Sequence, residues 1–218
     1  CFDGDTLIPL KRGLIPIKEV KVGDALAKGG KVTAFIKCSS YGEKIYNLKN
    51  IVVTGSHGIV LDNGGWLNVA DHPAAVEIKN YNNPFVYCLN TSTKVITLND
   101  INFADWDEVD AEDILKLRWL IRDRLPHTFS KINIHEILDG GFVGDTIIEV
   151  SDGNSIRLRD IKVNDELKSG ERVLGIVQID ARDLKNIKEY YLSDTIFIGG
   201  PNIRVNDECE IHSREKKN

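Results

Sequence analysis

The sequence of 218 residues contains no methionine, and its first residue is a cysteine. Because translation starts at methionine, we interpret the chain as a piece of a longer protein whose junction lies at Cys1. An arbitrary boundary is the alternative. The chain also lacks an apolar run long enough to span a membrane and a secretory signal peptide. We therefore expect no membrane partner.

Cysteine is sparse, and positive charge is not in excess. The four cysteines contain no CxxC pair, which argues against a zinc site, and a dense disulfide framework is unusual at this length. They are Cys1, Cys38, Cys88 and Cys209. We expect the thiols to be mostly reduced, which favours an intracellular location. The net charge of −5 argues against a nucleic-acid partner, because such proteins usually carry a basic face. We expect no metal and no cofactor, and we predict a monomer.

The first half of the chain predicts an all-β fold. It contains segments rich in β-branched residues, and breaks that contain glycine separate them. The segments are TLIPL, LIPIKEV, KVTAFIK, KIYNL, NIVVTG and HGIVL. Short strands with frequent turns are typical of all-β domains.

A different pattern follows at residues 110–125, where apolar side chains recur at helical spacing. Acidic residues cluster in the first turn and arginines in the last, which suits the helix dipole, and Pro126 follows. We predict a connecting α-helix whose apolar face packs on the core. A partner-binding helix is the alternative.

After this segment the sequence repeats itself. GFVGDTII at 141–148 resembles CFDGDTLI at 1–8, and LRDIKVNDELKSGERV at 158–173 resembles IKEVKVGDALAKGGKV at 17–32. A weaker echo, IFIGGPNIRV at 196–205, falls where VVTGSHGIVL is expected. Matching order and spacing indicate an internal repeat.

The second copy lacks the reactive side chains of the first. Gly141 takes the place of Cys1, and Ile198 and Pro201 fall opposite Thr54 and His57. The second copy keeps the Gly-Asp-Thr turn and the apolar pattern. We therefore predict that it is structural and not catalytic.

The first copy has the groups that a chain needs to break its own backbone, namely a nucleophile and a proton donor. The thiol of Cys1 can reach the preceding carbonyl through a five-membered ring and form a thioester. In TGSH, His57 can protonate the departing nitrogen, and Thr54 can hydrogen-bond near the same peptide. An ordinary surface or core histidine is the alternative.

Four motifs occur in order along residues 1–108: CFDGDT, IKEVKVGD, VVTGSH and FVYCLNTSTKVITLNDINFAD. Together they resemble the Hint family of Hedgehog and intein autoprocessing domains. The resemblance implies a horseshoe-like β fold with pseudo-twofold halves. It also implies that Cys1 is the nucleophile and that Thr54 and His57 activate the scissile peptide.

Cys88, in VYCL, stands where many inteins have a catalytic aspartate and some have a cysteine. The resemblance implies that this thiol assists the reaction or accepts an acyl group. A small buried strand residue is an equal alternative.

Asp105 falls where inteins place their terminal asparagine. Ala104 precedes it in place of the usual histidine, and Trp106 is no nucleophile, so splicing at this point is not favoured. Asp105 is included among the candidate catalytic residues. The alternative is that Asp105 is a polar turn residue that orients His57 or the Cys1 region. A second splicing point is Asn218, although SREKKN lacks the penultimate histidine.

We therefore predict a catalytic domain over residues 1–108, a helical linker over 109–139 and a smaller β subdomain, the degenerate repeat, over 140–218. The expected function is an autocatalytic N–S acyl shift at Cys1, which forms a thioester with a covalently attached upstream polypeptide. Water, a thiol or an amine then resolves it by cleavage, ligation or splicing. Sterol transfer is disfavoured, since Lys37 or Cys38 stands where Hedgehog domains have an aspartate. The alternative is a non-catalytic β interaction or display module derived from a Hint domain.

Overall fold

A computed structural model describes residues 1–106, 141–179, 184–187 and 190–193. Within these ranges the chain consists of antiparallel strands, turns and short 3-10 helices, and no helix is long and apolar enough to cross a membrane. The fold of the described residues is therefore all-β. The predicted α-helix at 110–125, the weak echo at 196–205 and Cys209 lie outside them.

The strands of the described residues are mostly short. They are β1 (Phe2–Asp3), β2 (Leu7–Leu10), β3 (Gly13–Pro16), β4 (Val32–Ser39), β5 (Ile45–Leu48), β6 (Ile51–Thr54), β7 (Gly58–Val60), β8 (Trp66–Asn68), β9 (Val76–Glu77), β10 (Phe85–Thr91), β11 (Val95–Leu98), β12 (Ile101–Ala104), β13 (Ile147–Glu149), β14 (Ser155–Arg157), β15 (Gly175–Ile179), β16 (Leu184–Ile187) and β17 (Tyr190–Ser193). Each of the six segments expected to be β contains a strand. In LIPIKEV the strand stops at Pro16, and Ile17–Glu19 forms a 3-10 turn.

The chain divides into two compact units, of which the first contains Cys1–Glu108, Val150–Asn154 and Lys162–Asp180. Among its described strands, one antiparallel sheet has the order β15-β4-β10-β1-β6-β5-β9, and a second has the order β11-β12-β7-β8. The short strand β1 therefore lies inside the larger sheet, between β10 and β6. The predicted boundaries at 108 and 140 stay a prediction, because the intervening segment is not among the described residues.

The core of the first unit follows the alternation visible in the sequence. Along β4, Val32, Ala34 and Ile36 are buried while the residues between them are partly exposed, as expected for a strand with one face on a core. Phe2 and Phe103 are among the largest fully buried side chains, and their rings meet edge to face at 5.1 Å. These contacts anchor the start of the chain in the interior.

The two sequence copies share their turn geometry. Three backbone hydrogen bonds of the first copy recur at equivalent positions of the second, with equal lengths. In the first copy they are Ile17 N–H to Thr6 O (2.8 Å), Gly23 N–H to Val32 O (2.8 Å) and Asp24 N–H to Lys21 O (3.1 Å). Their counterparts, in the same order, are Leu158 N–H to Thr146 O (2.8 Å), Asn164 N–H to Val173 O (2.8 Å) and Asp165 N–H to Lys162 O (3.1 Å). Gly23 has a φ of 93°, and Asn164, which takes its place, has a φ of 79°. Asparagine tolerates this left-handed conformation better than most residues, which fits its exchange for glycine.

The strands β4 and β15 occupy equivalent positions in the two copies, and they pair with each other. The register places Ile36 opposite Val177, Cys38 opposite Gly175 and Ala34 opposite Ile179. With the repeat offset of about 141 residues, Ile36 therefore lies opposite its own counterpart. This pairing has the symmetry of an isologous contact between two identical chains.

Candidate active site at Cys1

The fold fixes Cys1 through its neighbour Phe2. Phe2 is fully buried, lies opposite Val53 on β6 and Tyr87 on β10, and packs on the imidazole of His57 at a ring distance of 4.6 Å. The backbone N–H of Thr54 donates a hydrogen bond to the Cys1 carbonyl at 2.8 Å. The backbone of Cys1 and the side chain of its neighbour Phe2 are therefore both fixed in position.

The nitrogen of Cys1 contacts the side chains of Thr54 and His57, the two residues predicted to act with it. It donates to Thr54 Oγ1 at 2.8 Å and lies 2.7 Å from His57 Nδ1. Thr54 and His57 are both buried, with exposed fractions of 3% and 2%. The structure thus brings together three residues that are 53 and 56 positions apart in the sequence.

A glycine in TGSH allows this arrangement. His57 N–H donates to Thr54 O at 3.1 Å, so the four residues form a tight turn that begins at Thr54, the last residue of β6. A Cβ atom added at Gly55 would lie only 2.5 Å from Cε2 of Tyr46. Any larger residue at Gly55 would displace the ring of Tyr46 or the turn that positions His57.

The hydrogen bonds of His57 define its tautomer. Its Nε2 lies 2.9 Å from the carbonyl oxygen of Ala104, which can only accept, so Nε2 carries the hydrogen. Burial lowers the pKa of His57 well below its ordinary value, and the positive charge of the Cys1 amine adds to this, while the bond to Ala104 opposes it. The imidazole is therefore neutral, and the lone pair of Nδ1 faces the nitrogen of Cys1.

Acid should destabilise the protein through His57. A histidine with a lowered pKa binds fewer protons in the folded state than in the unfolded state. Its contribution to the free energy of unfolding is therefore complete above pH 6.5, near the unfolded pKa, and is lost as the pH falls below that value. We expect the free energy of unfolding to fall by up to about 1.4 kcal/mol per pH unit from this group. Urea unfolding between pH 7.5 and 5.0 measures it, with His57→Gln as the matched variant. Equal pH slopes for the two proteins would contradict the buried neutral imidazole.

A cavity of about 690 Å³, the Cys1 cavity, adjoins the site. Cys1, Thr54, His57, Cys88 and Cys38 contribute to its lining. All three of the described cysteines therefore border one cavity.

Cys88 lies on β10, opposite Ile36 of β4, and is almost fully buried. Its position in the wall of the Cys1 cavity agrees equally with a reactive thiol and with a small strand residue. Its catalytic role stays a prediction. Burial raises the pKa of the neighbouring Cys38 thiol, although the positive charge of the Cys1 amine counteracts this.

Asp105 is not among the residues that line the Cys1 cavity. It is buried, its Oδ2 accepts a hydrogen bond from the backbone N–H of Thr91 at 2.9 Å, and its own N–H donates to Lys94 O at 3.3 Å. The residue before it, Ala104, supplies the carbonyl that His57 contacts. This position fits the interpretation of Asp105 as a residue that orients the site, and its catalytic role stays a prediction.

Replacing Asp105 by alanine should destabilise the first unit. The Thr91 N–H is fully buried and would lose its acceptor, which typically costs about 1–3 kcal/mol. Asp105→Asn retains a side-chain oxygen and serves as the control. Urea denaturation of both variants measures the effect. An alanine variant as stable as the asparagine variant would show that the Thr91 bond contributes nothing.

No pattern in the sequence indicates that some residues belong to the site. The acceptor for His57 is a backbone carbonyl, which any residue could supply. The second copy also contributes Asn164, Arg172, Leu174, Gly175 and Val177 to the Cys1 cavity. The repeat predicts a structural role for this copy, and it does not predict that the copy lines the cavity at Cys1. No cluster of three potential metal ligands occurs among the residues that the structure describes.

Comparison with known proteins yields a similarity in structure alone. No family model matches the sequence, and no curated protein matches it. Two chains of known structure match. One is the crystal structure of the MchDnaB-1 intein, with 17% sequence identity and a TM-score of 0.35 over 47% of this chain and 93% of the intein.

Proposed function

We propose that the chain catalyses an N–S acyl shift at its own Cys1, in a precursor where another polypeptide precedes this residue. In such a precursor the nitrogen of Cys1 is the amide nitrogen of the scissile peptide. The observation that carries the proposal is the pair of contacts from this nitrogen to Thr54 Oγ1 and His57 Nδ1. A buried neutral imidazole at the leaving nitrogen is suited to proton transfer there.

The atoms balance within one molecule. The sulfur of Cys1 attacks the carbonyl carbon of the preceding residue, so that a C–S bond forms and the C–N bond breaks. The thiol proton passes to Nδ1 of His57 and from there to the departing nitrogen, which becomes the free amine of Cys1. The product is a thioester. Cys1 lies directly before β1 and its carbonyl accepts the Thr54 N–H, and this fixed position supplies the proximity for the intramolecular attack.

Resolution of the thioester requires an external nucleophile. Water gives cleavage, a thiol gives an exchanged thioester, and an amine gives ligation of the upstream polypeptide. Splicing would need a second cleavage at Asp105 or Asn218, which is not part of the proposal. The assignment of residues 1–108 to a Hint horseshoe, followed by a degenerate copy, belongs to the same proposal. Antiparallel sheets around β1 support it.

A direct test is mass spectrometry of the chain fused to a small folded protein placed immediately before Cys1. We expect cleavage at this junction, accelerated by dithiothreitol, with the upstream product carrying a thioester of the added thiol. A fusion that stays intact at neutral pH with high thiol concentration would overturn the proposal. That result would favour the alternative of a non-catalytic interaction or display module.

A further inference from the structure

The second sequence copy forms one wall of the Cys1 cavity. Four of its residues line the cavity because β15 pairs with β4, the strand that carries Cys38. They are Arg172, Leu174, Gly175 and Val177. Leu174 and Val177 line this wall, although 71% of Leu174 and 54% of Val177 is exposed. Both side chains therefore leave apolar surface open at the edge of the cavity.

The covalent geometry of Cys1 defines what this partner is, if the proposed function holds. A peptide bond places the carbonyl carbon of the preceding residue about 1.3 Å from the Cys1 nitrogen. Because Cys1 itself borders the cavity, a residue attached to its nitrogen starts at the edge of this space, and its side chain can extend into it. A cavity of about 690 Å³ is within the range of sites that hold small ligands, so it can take a side chain and adjoining backbone.

We propose that the wall formed by Leu174 and Val177 is a binding subsite for the residue directly upstream of Cys1, and that it prefers an apolar side chain there. This inference rests on the proposed function. Val86, Trp106, Leu174 and Val177 provide apolar surface for the side chain. Glu43, Arg172 and Asn164 share the lining and can bind the peptide groups of the upstream backbone. The degenerate copy thus selects the substrate sequence for the reactive copy.

The first test compares cleavage rates of fusions that end in leucine, alanine or aspartate before Cys1. We expect leucine to react about tenfold faster than aspartate, which is within the discrimination that an apolar pocket provides. The preference should disappear in Leu174→Asp/Val177→Asp, and lysine before Cys1 should become the better substrate. The matched control is Leu14→Asp, since Leu14 is 63% exposed and does not line the Cys1 cavity. Equal rates for all upstream residues in the unmodified chain would overturn the inference.

A second measurement does not depend on the reaction. In the Cys1→Ala background, short upstream peptides ending in leucine or aspartate stay attached, and urea denaturation reports whether they pack on the wall. We expect a higher midpoint with leucine, and no difference between the two peptides in Leu174→Asp/Val177→Asp. Equal midpoints in Cys1→Ala alone would overturn the subsite even if cleavage occurs. A preference for leucine without any cleavage would support the subsite while the proposed chemistry fails.

Discussion

Replacing Cys1 by alanine should abolish thiol-accelerated cleavage at the junction before it. The thioester forms on Cys1 Sγ, and without this atom no acyl group can leave the nitrogen. The change should leave the fold intact, because the β1 register and the bond from Thr54 N–H to Cys1 O involve only backbone atoms. Loss of activity is therefore expected without loss of stability. Intact-mass spectrometry after incubation with dithiothreitol measures the cleavage.

Cys1→Ser is the matched control for this experiment. The serine hydroxyl has the same position but forms its anion far less readily than a thiol, so the shift to an ester should be much slower. Any ester that forms should be cleaved by hydroxylamine and resist dithiothreitol. Cleavage of the Cys1→Ala fusion at the same junction and rate would exclude Cys1 as the nucleophile, and the reactive thiol would then have to be sought elsewhere, with Cys88 as the first candidate.

His57→Gln should lower the cleavage rate by about a hundredfold to ten-thousandfold, the usual range for loss of a general acid or base. Glutamine can place its amide N–H where Nε2 of His57 donates to Ala104 O, so the buried carbonyl keeps a donor. It provides no titratable nitrogen at the position of Nδ1, 2.7 Å from Cys1 N. The variant therefore separates proton transfer from packing. Single-turnover cleavage at several pH values measures the effect.

Thr54→Val helps to interpret the histidine result. Valine has nearly the same shape, and the backbone bond from residue 54 to the Cys1 carbonyl is retained, while the contact of Thr54 Oγ1 with Cys1 N is lost. We expect a smaller rate loss than for His57→Gln, because threonine positions the nitrogen without transferring its proton. An unchanged rate in His57→Gln, with the folded state verified by urea denaturation, would exclude His57 as the proton donor.

Much of the fold could be predicted because its signals are local. The alternation along β4 and the glycine-containing breaks identify strands and turns without knowledge of the partners. The resemblance of motifs predicts the grouping of Cys1 with Thr54 and His57, and the observed contacts join the Cys1 nitrogen to the side chains of the other two. The role of Asp105 is harder to predict. The sequence does not show whether a buried carboxylate accepts a hydrogen bond from a backbone amide, as Asp105 does from Thr91, or takes part in a reaction.

The sequence by itself determined the β character, the repeat, and which copy retains the thiol and the imidazole. The tertiary structure decided the tautomer of His57, through the Ala104 carbonyl, and the position of the second copy beside the Cys1 cavity. The physical reason is that strand pairing is made by backbone groups, which every residue has. The sequence of β15 does not show that it pairs with β4 and not with another strand edge. Only the assembled sheet places Leu174 and Val177 on the same cavity as Cys1.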